Sequence, residues 1–332
     1  MKDYLTSYTH KVSEFRWSIM GLSMLSIMLF HQYFTSTIPF NFFHNFGYWG
    51  VDVFLFLSGM GLVRSLTNNR LKTYYIHRFN RIIPSCILCG SFKYIIFLLL
   101  GESVAILQKG LNIGIWSIVS FDLWFIPSII IIYIIAPVLY LSIRKWPYQT
   151  ILITMSVFIL NGIFIRPGVG FDWMSPIGIF SYTTERLPVF LAGMYTVIKE
   201  EWIDGKIGCS FLFLIAAFIF AIIEKIGITY HGVSTCKFFL LMMGMPALIY
   251  LCVSLLSFLP DKLIKAIDFF GKYSLELYLV HEFIFWTMII KCDSGNPYFM
   301  LVIGFVLSCL TAYLCKYLTI KIKTIHITHE HK

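Results

Sequence analysis

The chain has 332 residues, of which 58% are hydrophobic and only 13% charged, and its mean hydropathy is +0.79. A soluble globule of this length has no interior large enough for that apolar surface, which excludes a water-soluble enzyme or carrier. The formal charge of +9 points to no nucleic-acid partner, because it is gathered in a few short segments between apolar runs.

Apolar runs of about 20 residues recur along the chain, which predicts an all-α integral membrane protein rather than a barrel of short alternating strands. We expect a polytopic bundle of about ten transmembrane helices, roughly at 17–36, 47–66, 82–100, 122–143, 149–166, 184–199, 207–224, 236–258, 269–290 and 298–319. No segment between them is long enough for a soluble domain, so residues 1–332 read as a single membrane domain with no fused soluble domain. The first apolar run is too long for a cleavable signal peptide and has no small-residue cleavage site. Lys and Arg cluster at Arg64–Arg81, Arg144–Lys145, Lys199–Lys206, Lys262–Lys272 and Lys316–Lys332, whereas 37–46 holds none. The positive-inside rule then places both termini in the cytoplasm, in a multi-pass protein of the cell (plasma or inner) membrane. Membrane lipid is its first partner.

The first span, RWSIMGLSMLSIMLFHQYF, opens on Arg16 and carries His31. A charged side chain costs about 2.5–3.5 kcal/mol at the bilayer centre, so ionisable groups persist there where they face a cavity or a partner. His31 stands fifteen residues beyond Arg16, about 22 Å along a helix and in the outer half of the bilayer. A neutral imidazole there can take a proton from an incoming group; the plain alternative is a satisfied packing residue.

In the second span, Gly47, Gly50, Gly59 and Gly61 permit close backbone approach. Asp52 partners His31, pairs with an inward-facing cation, or caps its helix. The basic segment that follows includes Arg64, Arg70, Lys72, His77, Arg78 and Arg81. Arg78 and Arg81, spaced i, i+3, share one side of a helix, and two guanidinium forks on one face suit a phosphate-bearing ligand. Anchoring on anionic lipid is the competing explanation.

Cys86 and Cys89 read as small core residues, and Lys93 in the third span has no assigned role. Asp122 and Trp124 open the fourth span, which Pro127 and Pro137 bend or break. Glu185 and Arg186, at the outer end of the sixth, form an interfacial ion pair or line an acceptor cleft. In the ninth, Glu276 and His281 point about 140° apart, so one faces the cavity while the other packs or hydrogen-bonds. Cys236 and Cys292 near the outer face leave a disulfide open. The ending HITHEHK, with His326, His329 and His331, reads as a solvated tail, and no metal site is expected.

In this order, the blocks GLSMLSIMLFH, WGVDVFLFLSGMGL, HRFNRIIP, LWFIPSIIIIYIIAPVL, RLPVFLAGM and GKYSLELYLVH resemble successive blocks of the acyltransferase-3 family of integral-membrane O-acyltransferases. The resemblance runs from Arg16 to His281. It implies transfer of an acyl group, usually acetyl, from cytoplasmic acyl-CoA (acetyl-CoA) to a hydroxyl of an extracytoplasmic carbohydrate. The acceptor would be a capsular, exopolysaccharide or other surface glycan, or a lipid-linked oligosaccharide.

On that resemblance His31 is the general base, with Asp52 beside it in the catalytic pair. Arg16, Arg78 and Arg81 hold the donor's phosphates, the last two as the family's Arg-x-x-Arg ahead of Pro84. Glu185, Arg186 and His281 serve the acceptor. The family's usual cation eleven residues before the histidine is Met20 here; Arg16 lies one turn further back, rotated by about 40°. Hydropathy alone also admits a transporter or flippase for a lipid-linked glycan, although no internal repeat is visible, or an inactive assembly partner.

Overall fold

A computed structural model describes residues 7–32, 43–44, 46–99, 124–165, 175–225, 231–291 and 296–330. Asp122, Cys292, and the side chains of His326, His329 and His331 lie outside the described residues. In chain order the helices are α1 (Tyr8–Glu14), α2 (Arg16–Phe30), α3 (Trp49–Asn68), α4 (Leu71–Leu99), α5 (Phe125–Lys145), α6 (Pro147–Leu160), α7 (Pro176–Ile198), α8 (Glu200–Lys225), α9 (His231–Ser257), α10 (Asp261–Lys272), α11 (Ser274–Lys291) and α12 (Pro297–Glu330). A π-helical turn, Asn161–Ile165, extends α6.

Among the described residues, six segments are long and apolar enough to cross a bilayer: Trp49–Asn68, Phe125–Lys145, Pro147–Ile165, Lys206–Ile223, Cys236–Ser257 and Pro297–Lys323. The protein is therefore a multi-pass membrane protein. The other four predicted spans fall on α2, α4, α7 and α11. Helix α2 is apolar but only 15 residues long, about 22 Å against a hydrocarbon core of about 30 Å. The other three carry ionisable residues in their apolar runs: Lys93 on α4, Glu185 and Arg186 on α7, and Glu276, His281 and Glu282 on α11.

Several boundaries differ from expectation: the helix of the third span starts at Leu71 rather than at 82, and three further differences bear on the site. The first span stops at Phe30, and His31 is its C-cap, its N–H bonded to Ile27 O at 3.1 Å. The sixth begins at Pro176, N-capped by Ser175 Oγ, which accepts from the Gly178 N–H at 3.0 Å. The predicted span 269–290 is two helices separated at Tyr273, because the strongly amphipathic α10 packs on α2 as a separate element.

Prolines inside helices free the carbonyl four residues back, and in a membrane that oxygen needs a new donor. Pro84 frees Asn80 O, which Lys323 Nζ takes at 2.5 Å. Pro137 frees Tyr133 O, which Tyr74 Oη takes at 2.9 Å. Beside Pro246, the Ser210 hydroxyl bridges the next turn's pair instead: it donates to Met243 O at 2.7 Å and accepts from the Ala247 N–H at 3.2 Å. The basic segments meet at one end of the bundle: Lys316 donates to Lys272 O, and Arg64 donates to Ser13 Oγ at 2.6 Å.

The packing pairs are α3 with α7, α2 with α10, α8 with α9, and α11 with α12. Helices α3 and α7 approach so closely that a Cβ at Gly193 would collide with Phe56 O, and one at Gly59 with Phe190 O. Gly193→Val should therefore destabilise the protein by about 1–3 kcal/mol, the usual cost of overpacking. A melting temperature in detergent equal to wild type would show that α3 and α7 can separate freely.

Candidate active site

The end of the bundle away from the basic segments holds a histidine pair. His281 is fully buried on α11, and its Nδ1 lies 2.9 Å from Leu277 O and 3.1 Å from Tyr278 O. Carbonyls only accept, so Nδ1 carries the proton and, in the neutral ring, Nε2 is an acceptor. That Nε2 lies 3.2 Å from His31 Nδ1. His31 Nδ1 also lies 3.0 Å from Ile27 O. Two acceptors around His31 Nδ1 assign its proton there, which leaves the lone pair on His31 Nε2. This is the nitrogen needed in a general base, and the side chain is 18% exposed.

The Glu282 carboxylate lies beside that nitrogen, with Oε2 at 3.9 Å from His31 Nε2. It is placed to balance the imidazolium once His31 gains a proton. Lys93, buried on α4, lies within electrostatic range of His281 and over the Phe283 ring at 6.0 Å. Sequence reasoning assigned no role to Glu282 and left Lys93 unexplained. The signal for both was an ionisable residue inside an apolar run.

Asp52 does not partner His31. Its two carboxylate oxygens each accept from Arg186 Nη1 at 2.6 Å, with Asp52 fully buried and Arg186 4% exposed. Of the partners open to Asp52, the inward-facing cation is the one found. The guanidinium also lies over the rings of Phe238 at 4.2 Å and Trp124 at 5.6 Å. Arg186 thus forms no interfacial pair with its neighbour Glu185. Helix α7 starts eight residues earlier than predicted, which carries both residues, each 4% exposed, into the bundle.

The basic end gathers several arginines. Arg64, Arg78 and Arg81 all lie within electrostatic range of Arg16. Arg16 packs its guanidinium against Gly61, where a Cβ would meet Nη1 at 2.9 Å. Met20, at the family's usual cation position, is buried in the apolar core. Arg78 lies over the Tyr74 and Tyr133 rings, at 5.8 and 5.6 Å, and its buried Nε has no hydrogen-bond partner.

Among the described residues, no carboxylate lies within ion-pair distance of Arg16, Arg78 or Arg81. Arg64 instead lies in the field of Glu200. Burial raises the pKa of Glu200, but hydrogen bonds from Ser7 and Thr9, together with Arg64, bring it net below the usual carboxylate range.

Arg81 also lines a cavity of about 360 Å³ between α2, α4, α10, α11 and α12, with Lys272, Lys316, Lys323 and the indole of Trp17. Glu276 lines its deep side, bridging Ser85 Oγ at 2.8 Å and Lys316 Nζ at 3.8 Å. So Glu276 faces a cavity while His281 hydrogen-bonds, the division their 140° separation predicts. His31 does not line this cavity; His281 stands five residues, about 7 Å, further along α11 than Glu276.

The site thus pairs two contacting histidines in a helical bundle of candidate membrane spans with arginines that, among the described residues, have no carboxylate partner. Residues 19–319 match the family model described as an acyltransferase domain, acyltransferase 3, and the chain belongs to that family. It is a membrane acyltransferase and uses an acyl donor. Neither the curated proteins nor the solved structures give a match.

Proposed function

We propose that this enzyme moves an acetyl group from cytoplasmic acetyl-CoA to a hydroxyl of an extracytoplasmic glycan in the plasma or inner membrane, with His31 as general base. The observation that carries this is the His31–His281 contact, which leaves a bare nitrogen at His31 Nε2 beside Glu282. As the acceptor oxygen attacks the thioester carbonyl, its proton passes to that nitrogen and a C–O bond forms. The C–S bond then breaks, and the departing thiolate takes the proton back from His31. Glu282 steadies the imidazolium in between.

The donor's charge fits the basic end. Its phosphates meet Arg78, Arg81 and Arg16, and the Arg81 cavity offers Lys272, Lys316 and Lys323 with an indole face for the adenine. On this reading the donor's arm passes the Ser85–Glu276–Lys316 bridge, whose three residues line the cavity, on its way to His31. Arg81→Ala should weaken acetyl-CoA binding about tenfold or more, since hydrogen bonds to charged groups contribute about 1.5–3 kcal/mol. Calorimetric titration of the purified protein with acetyl-CoA reads this directly; an unchanged dissociation constant removes Arg81 from the donor site.

The reaction is tested with purified protein in proteoliposomes, isotopic acetyl-CoA and surface glycan. Label should move to the glycan, and mass spectrometry of cells with and without the protein should show one acetyl increment lost. Binding of acetyl-CoA without transfer to any glycan hydroxyl would refute the acceptor class.

A further inference from the structure

A second cavity, of about 520 Å³, lies on the opposite flank of the bundle between the α6–α7 and α8–α9 pairs. Its outer walls, α6 and α8, are the most lipid-facing spans: 28% and 11% of their span residues are buried in the protein. The cavity is therefore a lateral slot beside the hydrocarbon phase. Its lining is mostly apolar, with Leu191, Phe213, Met243 and Pro246 among it, interrupted by Thr154, Thr196 and Ser210. Its basic end is polar, with Lys206 and the phenols of Tyr148 and Tyr195. Arg144, Lys145 and Trp146 lie two to four residues before Tyr148, and Lys145 Nζ stands over the Trp146 ring at 4.4 Å. That arrangement of cations and aromatic rings marks a headgroup level.

The length of the lining fits within one leaflet. From Tyr148 to Met155 on α6, and from Lys206 to Phe213 on α8, the lining runs seven residues, about 10 Å. Half of a hydrocarbon core is about 15 Å. An apolar slot beside lipid tails fills with a chain; the cation at its mouth selects which headgroup comes with it. None of the slot's lining residues lines the Arg81 cavity, so it is separate from the donor site.

We propose that this slot binds one anionic glycerophospholipid from the leaflet at the basic end, one acyl chain between α6 and α8 and the phosphate at Lys206. The volume lies within the 300–1,000 Å³ typical of ligand pockets.

The test uses the full chain in phosphatidylcholine nanodiscs containing a small fraction of phosphatidylglycerol with a diazirine on its acyl chain. Cross-links should concentrate on 188–196 and 207–213, and unlabelled phosphatidylglycerol should compete where phosphatidylcholine does not. Ala192→Trp, which fills the slot, should abolish that labelling, and Lys206→Gln should lower it about fivefold. Labelling spread equally over exposed positions of α12 such as Tyr313 and Leu314 would mean annular lipid only and overturn the proposal. So would labelling displaced by long-chain acyl-CoA but not by phosphatidylglycerol, which would assign the slot to a donor chain. Should Ala192→Trp fail to fold, the wild-type protein still decides. Cys209, exposed in the slot wall, should react several-fold more slowly with maleimide when phosphatidylglycerol is added, and an unchanged rate counts against a bound lipid.

Discussion

Replacing His31 with alanine should lower acetyl transfer by about 10²–10⁴, the usual contribution of a positioned general base, with folding and donor binding preserved. The expectation rests on which nitrogen is bare. Two backbone carbonyls hold the proton on His281 Nδ1, and His281 Nε2 and Ile27 O then hold one on His31 Nδ1. His281→Phe removes one of these acceptors without touching Ile27, so it should cost less than His31→Ala. Glu282→Gln should cost least, up to roughly fivefold, because a partly exposed ion pair contributes about 0–1 kcal/mol. Transfer rates of the three variants in proteoliposomes, normalised to folded protein, give the order. Wild-type turnover in His31→Ala would place the base elsewhere.

Breaking the buried Asp52–Arg186 pair from one side should have the largest effect on stability. Removing one partner of a buried ion pair costs about 3–5 kcal/mol, because the other charge is left in a dry interior. That is a large share of a total stability of about 5–15 kcal/mol. Arg186→Met leaves Asp52 fully buried, although Lys237 lies within its electrostatic range. Asp52→Leu leaves the guanidinium over Phe238 and Trp124, a gentler loss. Both single variants should give little monodisperse protein in detergent, and the double variant Asp52→Leu/Arg186→Met should recover most of it. The recovered variant also settles what the pair does. Transfer within severalfold of wild type makes it a scaffold joining α3 to α7; transfer lost by 10² or more returns Asp52 to the chemistry.

The helical, membrane-embedded character was legible because it follows from local properties: apolar run length and the clustering of Lys and Arg. That Arg78 and Arg81 sit on one helix was legible too, though Arg78 lies over Tyr74 and Tyr133 while Arg81 lies over Trp17. The partner of Asp52 was not, because Arg186 lies 134 residues away and several helices offer a cation. Glu282 was hidden by its neighbour: His281 drew attention to the helix, and only the crossing of α11 with α2 shows that the next residue turns toward His31 Nε2.

What this amino-acid order determined by itself was the solvent the chain lives in, which stretches are helical, and which ionisable groups are too costly to bury without a purpose. Tertiary structure alone decided which of those groups meet. It placed His281 against His31, drew Asp52 to Arg186, gathered Lys272, Lys316 and Lys323 around Arg81, and opened the slot beside Lys206. The reason is that run length and charge are properties of neighbouring residues. A hydrogen bond across helices depends on how ridges, glycine contacts and proline bends set one helix against another, and no local stretch of the chain contains that information.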